Sequence, residues 1–323
     1  MKRLGVFGFA VLAMLLSAPA WALSPRTFVS ATRGADQGPC PVQWPCLTVN
    51  YAISQTASGG EVVVSDSGSY APFTVSKAVT VEAAPGVYAG ITVSSGDGIT
   101  VNVGANDAVT LRGLTINGQG GNNGITLNSA AALHVEKCVI TGMANDGILA
   151  NDTFAYANPA TGLVFVNDTI AMTNKYAGIE VDYGKASIDR VRLENNNETG
   201  LYVEGGTVSI SNSVASGNIS FVGETTFGIE AYSGPGFPSE VNVENCLIAN
   251  NPGAGIISTA FPGGVSTVRV SNSTVTDNGI GLSNGLSGFG PIVFSATLLS
   301  RGNNTVQGNG APTSGTIGSF SPL

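Results

Sequence analysis

The chain reads as an all-β solenoid, a stack of short parallel strands wound into repeated coils. Three observations predict this. First, a short pattern recurs six times, an aliphatic strand residue followed at an interval by Gly and then Ile or Leu. The pairs are Val135/Gly147, Val166/Gly178, Ile188/Gly200, Ile210/Gly228, Val243/Gly255 and Val270/Gly279, at intervals of 12, 12, 12, 18, 12 and 9 residues. Second, counting from Gly124, successive glycines lie 23, 31, 22, 28, 27 and 24 residues apart. A period of about 20–50 residues means stacked units, none of which buries its apolar face alone. Third, Gly makes up 44 of 323 residues and charged residues only 11%. Val, Ile and Thr are frequent and helix formers sparse, which favours strands.

The elements follow in chain order. Lys2 and Arg3 precede an apolar run over residues 4–16, and Ala20-Trp21-Ala22 is a small-x-small cleavage signal, so residues 1–22 are expected to be a signal peptide. The run is shorter than the roughly 20 residues of a membrane span, and no later stretch is apolar enough to cross. The mature chain is therefore expected to be exported, secreted or periplasmic, with no membrane span after cleavage. Its oligomeric state is open.

Residues 23–60 are expected to form an N-terminal cap, 61–310 the solenoid and 311–323 a tail. Cys40 and Cys46 flank a Pro-rich loop, Cys40-Pro41-Val42-Gln43-Trp44-Pro45-Cys46. In an exported chain this pattern points to a local disulfide. Zinc is the weaker reading, since no second ligand pair accompanies it. Cys138 and Cys246 each lie three residues after a strand anchor, and Thr169, Val191 and Ser213 fill that slot between them. Four coils at about 4.8 Å separate them by roughly 19 Å. A disulfide needs Cα atoms within about 7 Å, so buried free thiols are expected.

Within a coil, two residues after each anchor stand Lys137, Asp168, Arg190, Asn212, Asn245 and Asn272. Polar residues, Asn above all, tolerate the left-handed bend that such a turn requires, and stacked asparagines can exchange amide hydrogen bonds. Beyond each Gly a strand alternates, as in Ile179-Glu180-Val181-Asp182, Leu201-Tyr202-Val203-Glu204 and Ile229-Glu230-Ala231-Tyr232. Alternation turns Ile179, Val181, Leu201, Val203, Ile229 and Ala231 inward.

The opening of the mature chain carries a family resemblance. Residues 45–53, Pro-Cys-Leu-Thr-Val-Asn-Tyr-Ala-Ile, are followed by Gly59-Gly60-Glu61-Val62-Val63-Val64 and Gly68-Ser69-Tyr70. With the repeat, this resembles right-handed parallel β-helix proteins of the pectate-lyase-like superfamily. The resemblance spans about residues 26–310. It implies a single-stranded right-handed parallel β-helix of about ten coils, its first coil covered by a short amphipathic helix. It says little of function, because this architecture hosts lyases, hydrolases, epimerases, adhesins and inert scaffolds.

Chemistry is sparser. The Asn-Thr-Asp, Asp-Asp and Gly-His-Gly segments of polygalacturonase-like members and the Tyr-Gly-x-Asp-Pro-His segment of alginate-epimerase-like members do not occur. The single histidine, His134, is turned outward by alternation. Asp189, Arg190 and Arg192 share one turn but read as solvated charges rather than as a pectate-lyase-like calcium and arginine site. The net charge of −8 argues against nucleic acid, whose phosphates need a basic face. It also weighs mildly against a polyanionic glycan unless cations bridge the two.

One constellation remains. Outward residues should stack into two columns, Leu149, Glu180, Tyr202, Glu230, Ile257 and Asn151, Asp182, Glu204, Tyr232, Thr259. Glu180, Asp182, Tyr183, Tyr202, Glu204, Glu230 and Tyr232 thus form a candidate ligand face. Spacings from Gly to the next anchor of 19, 10, 10, 15 and 15 residues set two short coils between longer loops, with Phe154 and Tyr156 on one side and Phe237 and Phe261 on the other. A shallow cleft with aromatic walls and an acidic floor is expected. Such a face suits a polysaccharide, whose sugar rings pack on aromatics and whose hydroxyls donate to carboxylates. Asp182 and Glu204, about 5 Å apart on neighbouring strands, match the separation used by retaining glycosidases, so Asp182, Glu204, Glu180 and Glu230 are catalytic candidates for a lyase or hydrolase. Two other readings stand beside this one: a structural or surface-interaction scaffold with ordinary solvent-facing side chains, and a cation such as calcium held between carboxylates. No other cofactor is implied. The chain ends Gly318-Ser319-Phe320-Ser321-Pro322-Leu323 with no translocator barrel, which weighs against an autotransporter-type adhesin.

Overall fold

The structure is a computed structural model that describes residues 23–151, 162–219, 226–285 and 295–321; the expected signal segment and the Phe154/Tyr156 loop lie outside them. Three parallel sheets of twelve, ten and ten strands run the length of the molecule. The chain visits the sheets in rotation, so each strand bonds to its counterparts one coil before and one coil after. Ten coils result, as the period implies. A single α-helix occurs among the described residues, Val49–Gln55.

The six anchors are structural equivalents. Val135, Val166, Ile188, Ile210, Val243 and Val270 are Cα partners in sequence along the twelve-stranded sheet, and all lie in the interior. The bend two residues later is left-handed in all six coils, with φ between 49° at Asn272 and 52° at Lys137 and Asn245. One assignment needs correction. Ala254 pairs with Ile280 and Ile256 with Leu282, so the counterpart of Gly255 is Gly281 rather than Gly279. A two-residue slip keeps inward and outward residues on their own faces, which is why Gly279-Ile280 imitates the repeat.

Packing explains why the repeat demands glycine. A Cβ on Gly200 would stand 2.6 Å from the Gly228 carbonyl oxygen and 3.0 Å from Asn218 Nδ2. The amide that crowds it belongs to an interior ladder that the sequence reading passed over. Asn174, Asn196, Asn218, Asn251 and Asn278 are all buried. Each Nδ2 donates to the Oδ1 of the next, at 2.9, 3.1, 2.9 and 2.8 Å, ending in Asn309 at 2.9 Å. From Asn196 onward each Oδ1 also accepts the backbone N–H of the preceding ladder residue, as from Asn196 N–H to Asn218 at 3.0 Å. The expected stack at the other bend exists, but on the surface, where Asn245 Nδ2 donates to Asn212 Oδ1 at 2.7 Å.

The N-terminal end is closed as the opening segment implies. Thr48 Oγ1 accepts the Tyr51 N–H at 3.2 Å, capping the helix, and Val49, Ala52 and Ile53 are buried against the first coil. Cys40 and Cys46 form a disulfide with Cα atoms 5.1 Å apart, and closing so short a loop contributes about 2 kcal/mol. Strand Ser24–Val29 pairs with Thr56–Val64, so the twelve-stranded sheet starts ahead of the helix; it ends at Ile317–Ser319. Cys138 and Cys246 are buried free thiols, as expected.

Candidate functional site

Strands Ala177–Asp182, Thr199–Glu204 and Phe227–Ser233 are consecutive members of one ten-stranded sheet. Ile179, Val181, Leu201, Val203, Ile229 and Ala231 fill the interior with no exposed surface, which forces the alternate residues outward. Register then builds both columns. Leu149, Glu180, Tyr202, Glu230 and Ile257 are successive Cα partners, and so are Asn151, Asp182, Glu204, Tyr232 and Thr259. The seven candidate residues come together here, with Tyr183 at the bend that ends its strand, φ 57°.

The floor is deeper than a shallow cleft. Asp182 and Glu230 each keep only 9% of their surface exposed. Rings line it in series. Tyr176 meets Tyr202 at 6.0 Å between centroids, Tyr202 meets Tyr232 at 6.1 Å, and Tyr232 meets Phe261 at 5.5 Å. Phe237 packs edge-on against Tyr183 at 4.8 Å. Tyr183 Oη donates to Glu204 Oε1 at 3.0 Å and Tyr202 Oη to Oε2 at 3.4 Å. These two donors orient the Glu204 carboxylate.

Sequence reasoning missed three members. Asp146, Tyr176 and Glu198 sit in the turns one or two residues ahead of Gly147, Gly178 and Gly200. Turn residues carry no alternation; only their closeness to the repeat glycine marks them. Asp146 is fully buried; its Oδ1 accepts the Ala177 N–H at 3.0 Å and its Oδ2 accepts from Asn145 Nδ2 at 2.8 Å.

Burial governs the electrostatics. Loss of hydration, then the negative charges of Asp182 and Glu198, pushes Asp146 up to about 7. Desolvation and the adjacent Asp146 carboxyl push Glu180 up to about 8, and the two carboxyls are within hydrogen-bonding reach. Asp182 rises to about 8 through burial and the charges of Glu180 and Glu204, and Glu230 to about 8 through burial and then Glu198. The Tyr176 and Tyr202 phenols are held well above their usual range, first by burial and then by neighbouring carboxylates. Near neutrality the face therefore presents carboxylic acids and carboxylates together, able to donate and to accept. Asp182 Oδ1 is buried without a hydrogen-bond partner. No group of three or more His, Cys, Asp or Glu side chains is arranged to hold a metal among the described residues.

The remaining features stay apart. His134 stacks on Phe165 at 4.6 Å on the twelve-stranded sheet. Arg190 pairs with Asp168 at 2.7 Å and with Asp189, and Arg192 with Glu194 at 2.8 Å, so that turn is a solvated ion-pair cluster. A concavity of about 530 Å³ lies in the cap loop, lined by Arg33, Pro39, Pro41, Trp44 and Pro45. None of the carboxyl groups reaches it.

A solenoid of parallel coils with an interior asparagine ladder defines the class, and comparison gives the family. Residues 58–214 and 123–311 match the family described as "Right handed beta helix region", and the chain belongs to it. Among solved structures, pectate lyase Pel9A superposes with a TM-score of 0.60 at 16% identity, over 92% of this chain and 78% of that one. A mutant of the PL6 family alginate lyase AlyGC gives 0.56 at 14% identity, over 90% of this chain and 39% of that one. XylC in complex with xylose gives 0.50 at 10% identity, over 86% and 69%. At these identities the likeness is one of fold. No curated protein matches the chain.

Proposed function

We propose that this is an exported polysaccharide-binding protein whose ligand lies along the Glu180/Asp182/Tyr202/Glu204/Glu230/Tyr232 face. One observation carries the reading: the series of rings Tyr176, Tyr202, Tyr232 and Phe261 beside two rows of carboxyl groups, all on consecutive coils. A linear polymer presents alternating apolar ring faces and hydroxyl edges, and a solenoid repeats matching partners at each coil. Aromatic faces offer packing area, and buried carboxyls supply the few directed polar contacts of a binding groove. The pectate lyase, the alginate lyase and the xylose complex on the same fold support a sugar ligand. Export is supported by the residue 1–22 segment and by the Cys40–Cys46 disulfide; no helix among the described residues is long and apolar enough to cross a membrane.

The Asp146–Glu180 pair favours a second reading, in which the bound polymer is also cleaved. A carboxyl kept protonated near pH 7 is what a general acid requires, and Glu204, oriented by the Tyr183 and Tyr202 hydroxyls, would then act as base or nucleophile.

The test is a glycan array probed with the mature protein, with and without calcium, beside a Glu180→Gln/Asp182→Asn/Glu204→Gln variant whose fold is checked by circular dichroism. Binding by the native protein that the folded variant loses is the expected result, and each bound glycan is then assayed for cleavage. No binding by either protein would overturn the proposal and leave a structural scaffold.

A further inference from the structure

The three sheets treat their charges differently. On the twelve-stranded sheet, acids face arginines one coil away: Glu61 with Arg26, Glu82 and Glu136 with Arg112, Glu240 with Arg269. On the other flanking sheet Glu194 pairs with Arg192. The ten strands of the candidate-site sheet contain four acids and no lysine or arginine. None of the ion pairs among the described residues includes Asp146, Glu180, Asp182, Glu204 or Glu230. Residues 152–161, 220–225 and 286–294 hold no lysine or arginine either. The lysines nearest in sequence, Lys175 in the turn beside Tyr176 and Lys185 at the start of the next strand, Lys185–Asp189, are exposed and belong to none of these pairs.

A second, independent observation points to a ligand. Asp182, nine-tenths buried, has an Oδ1 without a hydrogen-bond partner in this face. Buried polar atoms of folded chains are almost always satisfied, and the Asp182 oxygen, set among other carboxyls, lacks a donor. A uronate ligand would bring more negative charge onto a face that cannot answer it. A neutral sugar would bring hydroxyl donors without countercharge. An ammonium brings three donors and the missing charge together, and the adjoining Tyr202 and Tyr232 rings attract a cation over their faces.

We infer that the ligand of this face is an amino-bearing glycan, a polymer with free, protonated amino groups on its hexose rings, held with an ammonium beside Asp182 and Glu204, which are Cα partners on adjacent strands. The inference rests on the polysaccharide reading and narrows it to one substrate class. Protons shared among the carboxyls take the place of the cation while the face is empty, which accords with the upward shifts of Asp146, Glu180, Asp182 and Glu230. Binding an ammonium then displaces protons into solvent.

The test is titration calorimetry of the mature protein at pH 6.5 in 0.15 M salt. The probes are a β-1,4-glucosamine hexamer, its fully N-acetylated counterpart, cellohexaose, hexagalacturonate with and without calcium, and hexalysine as a charge control. The glucosamine hexamer is expected to bind at least tenfold more tightly than any other probe. It should release protons, read as a dependence of the heat on the ionisation enthalpy of the buffer, and lose at least tenfold in affinity with Asp182→Asn. The proton release is measured on the native protein, so it does not depend on a variant folding. Equal or tighter binding of the N-acetylated hexamer or cellohexaose would overturn the amino-glycan inference and leave the polysaccharide face standing. Preference for hexagalacturonate with calcium would also overturn it, in favour of a cation-bridged uronate. Hexalysine binding as tightly would reduce the effect to net charge and overturn it too. Silence from every probe would overturn both readings.

Discussion

Replacing Asn196 by alanine tests whether the interior ladder holds the coils in register. Asn196 is fully buried and its side chain makes four hydrogen bonds. Oδ1 accepts from the Asn174 backbone N–H at 3.2 Å and from Asn174 Nδ2 at 2.9 Å. Nδ2 donates to Asn218 Oδ1 at 3.1 Å and to the Ala171 carbonyl at 3.2 Å. Truncation strands two buried donors on Asn174 and one carbonyl on Ala171. At about 1–3 kcal/mol for each unsatisfied buried group, and allowing for a water in the space left, the loss should be about 4 kcal/mol. Asn245→Gly is the control. It removes the 2.7 Å bond to Asn212, but that pair is exposed and the residue is left-handed at φ 52°, a conformation glycine adopts freely. Its cost should stay under about 1 kcal/mol. Urea unfolding followed by circular dichroism, with m-values compared, measures both. Asn196→Asp adds a sign test. An ionised carboxylate there would face the Asn218 and Ala171 oxygens, so its native pKa must rise. The native state then binds more protons than the unfolded chain, and stability falls as pH climbs above about 4. A cost below about 1 kcal/mol for Asn196→Ala, or equal costs for Asn196→Ala and Asn245→Gly, would refute the ladder argument.

Three further outcomes are expected. Gly200→Ala would place a methyl 2.6 Å from the Gly228 oxygen and should cost about 2 kcal/mol or more in the same unfolding assay, whereas alanine at Gly234, whose Cβ meets no neighbour, should cost little. Cys138→Ser should be nearly neutral, because Ser213 and Ser273 fill the same slot and bond the carbonyls of Ser211 and Ser271 at 2.5 and 2.8 Å; burial pushes the Cys138 and Cys246 thiols up to about 11, so a thiol reagent should modify them at the unfolding rate. Asp146, Glu180, Asp182 and Glu230 all have native pKa values raised to about 7 or 8. The native protein therefore binds the extra protons, and the urea midpoint should fall as pH rises from about 5 to 8. The Glu180→Gln/Asp182→Asn variant should flatten that slope.

The repeat was legible because each of its signals obeys a simple period. Val166 and Ile188 recur once per coil and face inward, and Asp168 or Arg190 two residues on marks a bend that any left-handed-tolerant residue can fill. Gly279 was misread because parity cannot separate positions two apart; only the crowding of Gly255 against the Gly281 oxygen and Asn278 Nδ2 decides it. The interior ladder went unread for a related reason. Asn196 and Asn218 stand in turns, where asparagine is ordinary on conformational grounds, and nothing local distinguishes the surface pair Asn212/Asn245 from the buried one. The decisive difference is a residue with φ of 56° at Asn195 and 67° at Gly217, which turns the following side chain inward.

The site divides along the same line. Glu180, Asp182, Tyr202, Glu204, Glu230 and Tyr232 lie on strands, so alternation and coil register were enough to group them. Asp146, Tyr176 and Glu198 lie in turns, and their membership depends on how tightly the turns close over the strand ends. Depth, too, is a property of the packed structure: alternation turns Glu230 outward, yet it keeps 9% of its surface. That depth changes the chemistry. An exposed glutamate row would be an ordinary solvated face, screened and fully ionised. The same carboxyls under cover, with arginines on both flanking sheets and none on their own, store charge that only protons or a ligand can neutralise.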